Sequence, residues 1–89
     1  MSQVRLAWNA NSETNIAGYK MYWGTASGVY NAIGSPKNMG NVTSGGVDIV
    51  ETASWFFALK AVNTSGLESA FSNEVSRQIE LGLSFGKAN

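Results

Sequence analysis

Residues 16–30 read IAGYKMYWGTASGVY, and residues 54–76 read SWFFALKAVNTSGLESAFSNEVS. Successive side chains of an extended chain point to opposite faces, so a period of two marks a strand with one buried side. Ile16, Tyr19, Met21 and Trp23 supply such a face, with Lys20 and Tyr22 turned outward and Gly24 closing the run. Trp55, Phe57, Leu59 and Ala61 supply the strongest inward face of the chain, with Phe56, Ala58, Lys60 and Val62 opposite. Residues 26–28 make a tight turn, and the polar residues 63–66 turn the chain into a final strand around residues 71–79.

The pattern extends to both sides of these runs. Val4, Leu6 and Trp8 alternate with Arg5 and Ala7, which predicts a first strand, and residues 9–15 form a polar turn. Gly34, Pro36 and Gly40 make residues 29–41 an irregular or edge segment. Residues 42–50 hold a short strand carrying Val47 and Ile49. Helical periodicity is nowhere sustained, and neither a domain boundary nor an internal repeat is visible. The expectation is an all-β, two-sheet sandwich with Trp8, Tyr19, Met21, Trp23, Trp55, Phe57 and Leu59 between the sheets.

Eighty-nine residues, 44% of them apolar, suffice for one small core. Cysteine and histidine are both absent, which removes disulfides, thiolate and imidazole metal sites, and the Ser-His and Cys-His nucleophiles. Six basic residues balance six acidic ones, and they are scattered, so no basic stripe exists to neutralise a phosphate backbone. No apolar run approaches the roughly 20 residues of a membrane span, and no signal segment opens the chain. Charged residues make up 13%, about half the usual share, with Asn, Ser, Thr and Gly in their place. Two readings of that surface stand side by side: polar uncharged loops, or a surface mostly covered by neighbours.

Taken in order, the motifs resemble a fibronectin type III domain, an immunoglobulin-like fold, and most closely its bacterial and phage members. Residues 4–8, VRLAW, resemble the family's second strand with its core tryptophan. Ile16 with Gly18, Tyr19 and Met21 resembles the third, residues 55–63 the sixth, and residues 72–76 the seventh. The resemblance covers residues 3–79 and implies a reusable scaffold, so it leaves the function open. Three departures accompany it. Trp55 stands where the family has a corner tyrosine, residues 50–53 replace the Pro-Gly that often precedes it, and nothing in the chain corresponds to the family's first strand. The strand at residues 4–8 is therefore expected to leave an open edge.

Residues 80–89 form a C-terminal extension in which Ile79, Leu81, Leu83 and Phe85 alternate with polar or small residues, as in a one-sided strand. Burying each large apolar side chain is worth about 1.5–3 kcal/mol, so the extension is expected to dock on an apolar surface or open edge of the same or a neighbouring subunit. Exchange between subunits is the expected arrangement. For catalysis little is left. Asp48 and Glu51 fall on opposite sides of an extended strand, Glu68 and Glu74 flank a turn as solvated charges, and no enzyme, metal or cofactor is expected.

Two functions remain. The first is a non-enzymatic structural or assembly protein, a small virion subunit such as a phage capsid decoration or tail component. It would contact itself or a larger lattice, most simply as a homo-oligomer. The second is a carbohydrate- or cell-surface-binding module of a secreted or surface protein, for which Tyr22, Tyr30 and Phe56 are the aromatic candidates. Neither nucleic acid nor membrane is expected as a partner, and the expected location is the virion or the cell exterior. Contacts are expected through loops 9–15, 26–41 and 63–71, with charge reversal at Glu13 or Glu68 mattering more than at Lys60.

Overall fold

A computed structural model describes residues 2–12, 14–49 and 52–79. Six strands occur among them and no helix: β1 (Ser2–Ala7), β2 (Ile16–Gly24), β3 (Lys37–Gly40), β4 (Ser44–Ile49), β5 (Ala53–Asn63) and β6 (Val75–Ile79). They form two antiparallel sheets, one in the order β1-β4 and one in the order β3-β2-β5-β6. Met21 pairs with Leu59 and Trp23 with Phe57 across β2 and β5, so the two strongest alternating runs present their large side chains in step. Val4 lies opposite Val47 and Ser2 opposite Ile49 in the smaller sheet.

Val4, Val47 and Ile49 from the smaller sheet meet Met21, Trp23, Trp55 and Phe57 from the larger one in a single buried cluster. The core thus lies between two facing sheets, as the period-two pattern requires. Tyr19 is buried too, and its hydroxyl accepts the Asn11 N–H at 2.8 Å, which anchors the loop before β2. Lys37 Nζ donates to the Gly46 carbonyl at 3.0 Å, tying β3 to β4 along one side of the two layers.

Several expectations change in detail. Trp8 and Leu59 pack on the rim of the core rather than inside it, both half-buried. Trp8 lies one residue past the last β1–β4 ladder pair, Ala7 with Ser44. Of the two alternatives for residues 29–41, irregular or edge, the segment holds an edge strand, β3, beginning just after Pro36. The last strand begins at Val75 and not near Phe71. Ile79 ends that strand, as expected, and packs against the core. Leu81, Leu83, Phe85, Glu13 and Glu51 lie outside the described residues.

Candidate functional site

The outward side chains of β2 and β5 build a polar-aromatic cluster on the larger sheet. Tyr22 stands opposite Ala58, and Lys20 opposite Lys60. A small residue beside a tyrosine leaves room for another ring, and Phe71 takes it: its ring meets Tyr22 edge-on at 4.9 Å and 90°, and Tyr30 at 4.9 Å and 64°. Ala58 ends up 2% exposed although alternation turns it outward. Lys60 Nζ lies 4.4 Å from the Phe71 ring centre and 5.4 Å from that of Tyr22, within cation–π range.

Phe71 is held there by two serines. Ser72 donates its N–H to the Leu59 carbonyl (2.8 Å), and its hydroxyl accepts the Leu59 N–H (2.9 Å). Ser69 repeats the arrangement at Ala61, with 2.8 and 2.9 Å. Each hydroxyl substitutes for a strand carbonyl, so residues 69–72 follow the edge of β5 without being a strand. That is why β6 starts late. Alternation has no signature for such a segment, because the partner of each ladder N–H is a side chain.

Two carboxylates fasten the cluster. Glu68 accepts Lys20 Nζ at 2.9 Å and the Tyr22 hydroxyl at 2.7 Å, with Lys60 Nζ at 3.8 Å. Glu74 accepts the Tyr30 hydroxyl at 2.6 Å, the Ser27 hydroxyl at 2.7 Å and the Gly28 N–H at 2.8 Å. Gly28 has φ +77°, a conformation that lets its N–H turn toward the carboxylate without a Cβ penalty. The rest of loop 25–36 is tied to β2: Ser35 Oγ accepts the Trp23 N–H and donates to the Tyr30 carbonyl, each at 2.9 Å. Glu68 and Glu74 are therefore the joints of the outer face, not the free solvated charges their place beside a turn suggests.

The electrostatics follow from these bonds. The hydrogen bond to Glu68, then burial, pushes the Tyr22 phenol up to about 12, and burial, then Glu74, does the same for Tyr30. Both carboxyls are held below the ordinary glutamate range, Glu68 first by Tyr22 and then Lys20, Glu74 first by Tyr30 and then Ser27. Each shift favours the form that the hydrogen bond holds, the ionised carboxylate and the neutral phenol. No cluster of three or more His, Cys, Asp or Glu side chains that could hold a metal occurs among the described residues.

Of the residues singled out from sequence, Tyr22 and Tyr30 come together, joined by Phe71, which sequence reading had assigned to a strand. Phe56 is half-buried on the same face, opposite Gly24 and Ser76, and forms no ring pair among the described residues. The rings meet edge-on and Lys60 lies over the Phe71 ring, which stays 44% exposed, so they pack as a cluster rather than as a row of open faces. Glu68 and Lys60 share that cluster, 3.8 Å apart, so charge reversal at either site acts on the same contacts.

Two other surfaces are open. A cleft of about 450 Å³ runs between β1 and β6, and a hollow of about 280 Å³ continues it past Trp8 toward Ala70. The Trp8 indole N–H, in the shared wall, is buried without a hydrogen-bond partner among the described residues, a cost of about 1–3 kcal/mol. At the ends of the sandwich, loop tips carry bare aliphatics: Ile33 is 98% exposed and Leu67 68%, with Val29 and Val42 also exposed. Neither a protein-family model, nor a curated protein, nor a solved structure matches this chain.

Proposed function

We propose that the chain is a fibronectin type III-like domain that acts as a non-enzymatic assembly module, a small structural subunit of a virion or cell-surface particle that binds protein. The strand order supports the family reading, since β3-β2-β5-β6 facing β1-β4 follows the family's fourth, third, sixth and seventh strands facing its second and fifth. The observation that carries the assembly reading is the placement of Ile33, Leu67, Val29 and Val42 on loop tips while the sheets keep their own apolar residues covered. An isoleucine held almost wholly in water is stabilised by about 1.5–3 kcal/mol when a partner covers it. A surface with 13% charged residues puts little repulsion in the way. The alternative, a carbohydrate-binding module, draws less support, because both candidate tyrosine hydroxyls are committed to glutamates.

The test is mass in solution by light scattering across a concentration series, alongside co-purification with the particle that carries the protein. Assembly predicts mass that rises with concentration, or retention on the particle that Ile33→Asp and Leu67→Asp abolish while the fold persists. A concentration-independent monomer that no particle retains would overturn the reading.

A further inference from the structure

Among the described residues, β1 is paired on one side only, with β4. Trp8 donates its N–H to the Thr43 carbonyl at 2.9 Å, in the same register as the β1–β4 ladder. Hydrogen-bonding direction alternates along an antiparallel strand, so Val4 and Leu6 turn their backbone groups toward β4. Gln3, Arg5 and Ala7 turn theirs to the open side. Along that open side runs the larger cleft, walled by Leu6, Trp8, Met21, Phe57, Leu59 and Val75. Its charged lining residues are Arg5 and Arg77, and no carboxylate lines it among the described residues. A groove of this make-up fits an extended strand with an apolar side chain at every second position and a carboxylate of its own.

The chain contains such a segment. Residues 80–89 read ELGLSFGKAN, with Leu81, Leu83 and Phe85 two apart and Glu80 before them. We propose that residues 80–89 of one copy add as a strand to the free edge of β1 in a second copy. There Leu81, Leu83 and Phe85 fill the cleft and Glu80 lies beside Arg5 and Arg77. This rests on the assembly reading and names its interface. The donor is a second copy because Glu80 directly follows Ile79, the end of β6. Ile79 pairs with Ala53 and Ser2 with Ile49, which puts the end of β6 and the start of β1 at the same end of the sandwich. A chain's own extension thus starts from Ile79 at the mouth of the groove, while a neighbour's strand has no such tether. Direct β1–β1 pairing is a poor competitor. The register that engages Gln3, Arg5 and Ala7 together sets Arg5 opposite Arg5, and like charges directly opposite repel.

The chain has no cysteine, so single introduced thiols report the contact cleanly. Gln3→Cys and Ala7→Cys variants are each mixed with a Ser84→Cys variant of the full chain and treated with a short bismaleimide. Docking predicts a cross-linked dimer in the mixtures well above that of any variant alone. Glu80→Arg lowers its yield by up to about fivefold, and Arg5→Glu on the acceptor restores it. A chain carrying both thiols that cross-links only within itself overturns the second-copy docking. If the mixtures give no dimer although the unmodified chain oligomerises, this interface is overturned and the assembly reading stands. If they give no dimer and the chain is a monomer that no particle retains, both fall.

Discussion

Phe57 and Ala58 are neighbours on β5, point to opposite faces, and are 1% and 2% exposed. Phe57 was legible in the sequence because its burial follows from alternation alone. Ala58 was not, because its burial depends on Tyr22 and on Phe71, which arrives from a segment with no periodic signal. The two also differ in what substitution does. Phe57→Ala opens a cavity in the middle of the core and is expected to cost about 3–5 kcal/mol, read from the midpoint of a urea titration. Ala58→Leu forces bulk under the outer aromatic cluster and is expected to cost about 1–3 kcal/mol in the same titration. A neutral Ala58→Leu would mean that the cluster over β5 is open.

At the scale of the element, the late start of β6 is the instructive case. Val75 to Ile79 pairs with Phe57 to Ala53 as a regular ladder, while residues 69–72 hold the same strand through serine hydroxyls. Ser69→Ala and Ser72→Ala each take the acceptor from a β5 N–H. Each is expected to cost about 0.5–1.5 kcal/mol, since water can reach the freed N–H, and each should raise amide exchange specifically at Ala61 or Leu59. Equal exchange at both amides in both variants would show that the segment detaches as a whole. The end of β2 is set by a close approach instead: a Cβ on Gly24 would meet the Val29 carbonyl oxygen. Sequence reading ended this strand at Gly24 on residue type alone, and backbone crowding is the physical reason. Gly24→Ala is therefore expected to displace loop 25–36, seen as loss of protection at Gly28, whose N–H depends on Glu74.

For the molecule as a whole, the two-sheet architecture was readable because five of the seven predicted core residues lie on inward faces that repeat every second position. Trp8 and Leu59 fell short because both line the open cleft beside the core. The outer cluster was not readable, since Glu68 lies 48 residues from Lys20 and Glu74 46 from Gly28. Its consequence is a pH profile. Carboxyls held low in the fold stabilise it above their ordinary value near 4.5, and that stability is lost as pH falls through their lowered values. Phenols pushed up to about 12 stabilise the fold below their ordinary 10.0, and that stability is lost as pH rises between the two. With no histidine to titrate between these limits, the melting temperature is expected to be level across the neutral range and to fall at both ends. Tyr22→Phe with Tyr30→Phe should flatten the alkaline fall, and an unchanged fall would assign it to other groups.

The three tryptophans are placed unequally. Trp23 and Trp55 are buried at 4% exposure, in the wall of a separate hollow beside Ile33, while Trp8 stands half-buried in the wall of the open groove. The molecule therefore carries its own optical probe. Two indoles emit from buried positions outside that groove and serve as an internal standard, and the third alone can sense what enters beside β1. A blue shift of emission and a loss of acrylamide quenching, both confined to the Trp8 share of the signal, would time the filling of that groove without any label.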